Sequence, residues 1–491
     1  LAAHGSESAA ADLLDAASKR LSVADRARLK TESALILLEH DLDTPARLRS
    51  SVEASLAAAD HAWKARQVGP TATHLADAFA VLFHRVLHFD RSTSPLAADP
   101  QGYLEPLRQS RAFAHASRAD HRLQEPTQQP TRRLLVASYT NFTFTTPVIE
   151  RYQAVAGLDV RRLDVRQVTP GQLPESVLQL TRARLRTPSE VAAMPHSQPI
   201  ERDLGWADVA FVDWSQRAAV VISAIDPGST RVVVRLHSYE AFTCFPHLVD
   251  WSRVDDVVFV GRHLQELVSR IVPDLPARQH VLPVLMDLAR MQRDKGADAR
   301  KTLAVLGWAA PAKDAIWAIE VLAELRRQDP GYRLLLVGAA PADSAPKNVL
   351  NYVGAVRERA ARPDVAPGVD FLPQTDDVPG LLARAGTIVS SSVRESFHAA
   401  VAEGAASGAV PVVRDWPMFL PYGGAAAVYP EDWIVDSPMA AARRILATTH
   451  DEPTWRAEGQ RAQRHALATF DQAVIGAQYD DLLGIQMDGT G

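Results

Sequence analysis

In the first part of the chain apolar positions recur at helical spacing. Leu75, Phe79, Leu82, Val86 and Phe89 fall three and four residues apart, which puts one apolar stripe on a helix. The run Leu35-Ile36-Leu37-Leu38 has no such phase and suits a helix buried on more than one side. Residues 11–117, rich in Ala, Leu and Arg, therefore predict an all-α region. A small, polar, disordered start is expected at 1–10. The stretch 118–131, with Gln-Glu-Pro-Thr-Gln-Gln-Pro, reads as a linker.

At Arg133 the pattern changes to short β-branched runs alternating with helical segments, as a parallel sheet requires. Strands are predicted at 134–137, 160–163, 209–212, 232–236, 257–260 and 280–284, with helices at 146–154 and 262–271 among the intervals. After a polar break at 290–302 a second unit follows, with strands at 303–306, 333–337, 369–372, 387–389, 410–413 and 426–429. Its helices are expected at 314–327, 348–360, 379–385 and 397–407, and more helices run from 439 to 483. The fold class is α/β: two Rossmann-like domains with an N-terminal all-α extension. The expected divisions are a helical domain and linker at 1–130, a first Rossmann-like domain at 131–295, a second at 296–450, and C-terminal helices at 451–491 that pack back on the domains.

A chain of 491 residues exceeds one compact core. Its 47% hydrophobic and 23% charged content is that of a globular protein. A net charge of −5 speaks against nucleic acid as a partner. With Cys244 alone there is no intramolecular disulfide and no cysteine-based zinc site, which fits a reducing cytoplasm. No apolar run approaches the ~20 residues of a spanning helix, and the first residues lack the pattern of a signal peptide. The missing initial Met suggests a trimmed or processed start. His84 and His88, at i and i+4 with Asp90 beyond, have a spacing that can hold a metal, but the neighbouring apolar stripe favours packing.

Candidate chemistry concentrates at 388–413, a strand, polar loop, short helix and strand. Glu395 lies in the loop and Glu403 two helical turns further on, ~12 Å away at 1.5 Å per residue. Unpaired N–H groups at the helix start favour a phosphate between the two acids, so an extended ligand with a polyol, an anion and a second polyol fits. The plain alternative is a capping acid and a solvated acid. Lys313, at a predicted helix start where a cation opposes the macrodipole, hints at an anionic ligand. The strand 332–337 ends in Gly338, which permits close backbone approach. The loops 374–377 and 138–145 also follow strands, where ligands of open α/β sheets sit.

Taken together, Gly307 to Lys313, the strand ending at Gly338, Phe371-Leu372-Pro373, and Ser391 to Pro411 with Glu395-x7-Glu403 resemble the nucleotide-sugar half of a family 4 type retaining glycosyltransferase of the GT-B fold. In the first unit Val233-Val234-Arg235-Leu236-His237 resembles that family's strand ending in an active-site histidine, and 254–260 and 282–287 resemble segments that follow it. The resemblance covers about 132–450 and leaves out the N-terminal helices.

It implies a glycosyltransferase of hexosyltransferase type, with His237 and Glu395 as catalytic residues. Glu403 would accept hydrogen bonds from the ribose, Lys313 would neutralise the departing diphosphate, and Arg394, Phe397 and His398 are further donor-side candidates. Three departures stand out: Trp308 where an arginine is usual, His398 where a glycine is usual, and no glycine pair in the loop 138–143. On the acceptor side Tyr239, Glu240 and Asn141 are candidates, the aromatics after His237 being able to stack on a sugar or to serve the core. With no Asp-x-Asp at a strand end, Asp41-Leu42-Asp43 lying in the helical part, transfer is expected to need no metal and no cofactor. The co-substrate is expected to be UDP- or GDP-linked. The N-terminal helices are a possible oligomer contact. Rival readings are a catalytically silent partner-binding protein of this fold and a sugar-nucleotide epimerase.

Overall fold

The computed structural model describes residues 6–168 and 171–487. Of the expected disordered start, residues 1–5 lie outside the described residues, but 7–10 are helical. The Ala-rich segment Glu7–Ser18 is a helix, and its buried Ala11 carbonyl accepts a hydrogen bond from Ser33 Oγ on the next helix, Val23–Glu39. Pro45–Lys64 follows, started by Pro45 and by the Thr44 hydroxyl accepting from the Arg47 N–H, and Val68–Leu82 packs back along it. The apolar stripe 75–89 does not form one helix. The chain breaks at His84 (ψ 134°) and restarts at Arg85–His88. The Leu82 carbonyl is taken by His88 Nε2 at 2.7 Å and Tyr103 Oη at 2.6 Å, which ends the helix there. His88 Nδ1 meets Ser94 Oγ at 2.8 Å, so both ring nitrogens have protein partners, as the packing reading requires.

The stretch 118–131 is tied along the first α/β unit. Arg122 pairs with Asp255, and the Thr127 N–H donates to the Ser229 carbonyl at 2.9 Å. The first sheet consists of β1 (Arg133–Ser138), β2 (Asp159–Asp164), β3 (Val209–Asp213), β4 (Arg231–Leu236), β5 (Asp256–Phe259) and β6 (Arg278–Val281), all parallel, in the order β2-β1-β3-β4-β5-β6. The second consists of β7 (Thr302–Leu306), β8 (Arg333–Val337), β9 (Val369–Leu372), β10 (Thr387–Ser390), β11 (Val410–Arg414) and β12 (Ile434–Val435), also parallel, in the order β12-β11-β10-β7-β8-β9. Both faces of the central strands are covered, which is why they read as unbroken apolar runs.

Two strand expectations need correction. β6 ends at Val281, because Pro283 has no N–H for the ladder and the buried Leu282, Val284 and Leu285 pack where the chain crosses to the second unit. Residues 426–429 are not a strand. Gly423 (φ 89°) and Gly424 (φ 55°) turn the chain into a 3₁₀ segment, Gly424–Ala427, and the sixth strand is Ile434–Val435.

Ile475, Tyr479, Leu482 and Leu483 of the last helix, Gln472–Leu483, pack with Leu134, Val136, Phe211 and Val233 of the first sheet, and Asp480 pairs with Arg151. The helical region touches both α/β units. Arg108 Nη2 donates to the Arg270 carbonyl at 2.8 Å, and Tyr422 Oη donates to the Ala97 carbonyl at 2.6 Å.

Candidate active site

Both sheets turn the C-terminal ends of their strands toward one cleft, the place where open parallel sheets present loops to ligands. β4 delivers His237. Alternation along the strand puts Arg235 on the same side as His237 and beside Asp213, which ends β3. The Arg235 fork spans Asp213 at 2.7 and 2.9 Å, and also donates to Tyr479 Oη (3.0 Å) and to the Phe144 carbonyl (2.8 Å). His237 Nε2 lies 3.0 Å from Asp213 Oδ1, and its ring stacks on Trp214 with centroids 4.2 Å apart. Burial alone would raise the Asp213 carboxyl, but Arg235 and His237 overcome it and hold it below the usual range. Burial lowers the His237 pKa against the pull of Asp213, leaving a neutral imidazole at pH 7.

The second unit supplies the opposing wall. After β7 the chain turns at Gly307 (φ 81°) into the 3₁₀ segment Pro311–Lys313. A Cβ on Gly338 would stand 3.6 Å from the Gly307 Cα, so these two strand ends approach closely. Ser391 Oγ donates to the Lys313 carbonyl at 2.6 Å and the Val393 N–H to the Ala312 carbonyl at 2.9 Å, fixing the loop after β10 against Lys313. Lys313 Nζ and Ser392 Oγ both stand 2.6 Å from Glu395 Oε1, and His398 Nε2 is 3.8 Å from the same oxygen. Burial would raise the Glu395 carboxyl, but His398 and Lys313 together bring it down to about 2. Burial also lowers His398 to about 4, partly opposed by Glu395.

His398 has φ 61° and ψ 64°, the left-handed region that glycine enters freely, and its Nδ1 lies 2.7 Å from Ser390 Oγ. The helix begins after it, at Ala399–Ala406, two residues later than its sequence pattern suggests. Across the cleft Ser396 Oγ accepts from the Ser238 N–H (2.8 Å), and His263 Nε2 donates to the Glu395 carbonyl (3.0 Å).

A cavity of about 350 Å³ lies between the units, lined by His237, Tyr239, Trp214, Lys313, Glu395 and His398. A second, of about 590 Å³, opens within the second unit along Gly307, Trp308, Gly338, Gln374 and Thr375. Leu306 and Lys313 line both.

The sequence candidates thus divide. His237, Tyr239, Lys313, Glu395, Phe397 and His398 meet at the inter-unit cavity, although the Phe397 ring also packs on Phe470 at 5.1 Å. Glu403 is half-buried on its helix, outside the lining of both cavities; burial raises its pKa, with Arg290 opposing. The Arg394 guanidinium stacks over Phe89 (4.6 Å) and Phe242 (5.9 Å), and the residue does not line either cavity. Glu240 is fully buried. Its Oε1 accepts from the Ser215 N–H at 2.9 Å, and burial raises its pKa well above the usual value, which makes it a brace of the His237 turn. Asn141 stands in an exposed turn, where its Oδ1 accepts from the Thr143 N–H at 3.0 Å. Trp308 is buried, packs edge-on against Phe371 at 4.9 Å and donates to the Gly338 carbonyl at 3.3 Å.

Sequence reasoning missed Asp213, Trp214 and Phe144. An acid closing the otherwise apolar run Val-Ala-Phe-Val-Asp was the available signal for Asp213. Trp214 adopts φ 62°, for which the sequence carries no mark. Among the described residues no three His, Cys, Asp or Glu side chains cluster as metal ligands, and no helix is long and apolar enough to cross a membrane.

Residues 300–451 match the family model described as Glycosyl transferases group 1. Among curated proteins none matches the chain. Among solved structures it is similar to Alr3699/HepE of Anabaena in complex with UDP and glucose, at TM-score 0.56 and 16% identity, over 72% of this chain and 99% of that one. Sucrose-phosphate synthase from Thermosynechococcus elongatus aligns at TM-score 0.52 and 16% identity, over 72% and 98%. A glycosyltransferase from Rickettsia africae aligns at TM-score 0.51 and 12% identity, over 72% and 97%. At these identities the likeness is one of fold, the paired Rossmann-like domains of GT-B.

Proposed function

We propose, starting from a glycosyltransferase of the GT-B fold whose 300–451 region is of the group 1 type, that it moves a sugar from a nucleoside diphosphate to an acceptor with retention and without a metal. One observation carries this reading. Lys313, paired with Glu395, stands where the two cavities meet, so a ligand lying through both would put its diphosphate at the ammonium.

The nucleoside end would occupy the 590 Å³ cavity, along Gly307, Trp308, Gly338, Gln374 and Thr375; Glu403, which the family resemblance assigns to the ribose, does not line it. The sugar would enter the 350 Å³ cavity between Glu395 and His237. The three contacts to Glu395 fall on Oε1, leaving Oε2 for the sugar and for positive charge growing at the anomeric carbon. In the transfer the bond from the anomeric carbon to the diphosphate oxygen breaks and its electron pair leaves with the diphosphate. The acceptor oxygen bonds on the same face, and its proton passes to the departing diphosphate. A fixed cation at the leaving oxygen is worth about 10²–10³ in rate. Neutral His237, whose Nε2–H donates to Asp213, would present Nδ1 as an acceptor for a sugar hydroxyl. The likeness to a protein solved with UDP and glucose favours a uridine diphosphate donor.

Thermal denaturation against a panel of nucleoside diphosphates and nucleotide sugars tests the reading. A ligand that binds only the folded state raises Tm, by about 2.7 kcal/mol of stability at 100 times Kd. No shift with any member would favour a catalytically silent protein. Conversion of donor alone to an isomeric nucleotide sugar would favour an epimerase.

A further inference from the structure

The helical region reaches the rim of the cleft at one point, the segment after Arg85–His88. Phe89 lies against Tyr239, ring centroids 4.8 Å apart at 38°, and against Phe242 at 6.2 Å. Tyr239 lines the inter-unit cavity and is 44% exposed, so one part of its ring remains free. Arg394, the residue before Glu395, lays its guanidinium over Phe89 at 4.6 Å. Three parts of the chain therefore meet here: the helical region, the first unit and the second.

Arg394 differs from the cations around it. Arg85 is spent on Asp90, at 2.8 and 2.9 Å, and Lys313 on Glu395. Among the described residues Arg394 has no ion-pair partner and no hydrogen bond, and its Nε is buried without an acceptor. Removing guanidinium donors from water without acceptors is costly, and aromatic faces repay only part of it. A planar fork held flat by aromatic rings is pre-organised for a carboxylate or phosphate.

We propose that Phe89, Tyr239 and Arg394 form an acceptor subsite for a ring that carries an anionic group, the aromatics taking the ring face and Arg394 the carboxylate or phosphate. The inference rests on the glycosyltransferase reading for the word acceptor. It assigns the helical region a place in the site, through Phe89. An anion on the donor sugar is the other source of the same chemistry. The acceptor is favoured because Arg394 lines neither of the two cavities through which the donor would lie, and meets Phe89 and Phe242 instead.

The test uses matched probes on the full chain with UDP at saturating concentration: phenyl glucuronide against phenyl glucoside, and glucose 6-phosphate against glucose, by isothermal titration. In the wild type at least one anionic member should bind tenfold or more tightly than its neutral match, with the preference shrinking as salt rises. Arg394→Gln should remove the preference. Phe89→Leu should weaken both members of a pair several-fold and keep their ratio. Equal binding within both pairs, a preference that survives in Arg394→Gln, or no binding of any probe would overturn the proposal. If Arg394→Gln does not fold, Arg394→Lys decides: an undiminished preference there would also count against it, since the fork would be gone. UDP-glucuronate against UDP-glucose, titrated without acceptor probes, separates the sources; an Arg394-dependent preference appearing only there would move the anion to the donor and overturn the acceptor assignment. The UDP titration of the wild type is recorded separately, so a protein that binds no nucleotide loses the donor reading while the anion preference is scored on its own.

Discussion

Lys313 Nζ lies 2.6 Å from Glu395 Oε1, a contact that joins the turn after β7 to the loop after β10 and sets the floor of the cleft. The pair is partly open to solvent, the side chains being 27% and 14% exposed, so its value lies more in placement than in stability. Lys313→Met should lower kcat by about 10²–10³, as loss of a fixed leaving-group cation does, and stability by on the order of 1–2 kcal/mol because Glu395 is left without its counter-charge. Turnover assays and urea denaturation check the two effects.

The Asp213–Arg235 pair is fully buried and should behave differently. Asp213→Asn leaves a guanidinium inside the first unit with no countercharge and is expected to cost about 3–5 kcal/mol. His237→Ala removes a ring stacked on Trp214 and should abolish transfer while the fold persists. An Asp213→Asn protein as stable as the wild type in chemical denaturation would contradict this.

His398 sits at φ 61° where L side chains pay about 1 kcal/mol or more. Both His398→Gly and His398→Ala lose the bond to Ser390, but only glycine relieves the backbone. The glycine variant should therefore be more stable than the alanine variant by about 1 kcal/mol. Equilibrium denaturation of the two gives the comparison directly.

Four buried histidines set the acid side of the stability profile. Burial lowers His88, His263 and His398 to about 4 and His247 to about 3. Between pH 6.5 and 4 the unfolded chain takes up protons on these rings and the folded chain does not. Stability should therefore fall as pH drops through that window, by on the order of 1 kcal/mol per pH unit for each ring. Glu395, held near 2, adds a further loss as pH falls from 4.5 toward 2. A Tm that is flat from pH 7 to 4.5 would contradict this.

The alternation of short apolar runs and helical segments marked ten of the twelve strands closely, because strands covered on both faces need unbroken apolar runs. The last strand was misplaced since 426–429 has the composition of a strand but follows two glycines at positive φ, a conformation that composition does not encode. In the site, Lys313, Glu395 and His237 were legible because each follows a strand end. Asp213 and Trp214 were not: their role depends on two strands lying side by side, and residues from different strands become neighbours only in the folded sheet. Glu240 looked available for an acceptor but is fully buried, with its Oε1 taken by the N–H groups of His237 and Ser215. The gap between Leu82 and Arg85, invisible to a stripe of well-spaced apolar residues, is what brings Phe89 to the cleft.

The most direct measurement is mass-spectrometric detection of sugar transfer by the purified wild type and its Glu395→Gln variant, across nucleotide-sugar donors and small-molecule, glycan and peptide acceptors. The wild type should release a nucleoside diphosphate and form a glycosylated product with retained anomeric configuration in the presence of chelator, and Glu395→Gln should form none. Product formation by Glu395→Gln at the wild-type rate, or no product from any donor with the wild type, would contradict a transferase site built on Lys313, Glu395 and His237.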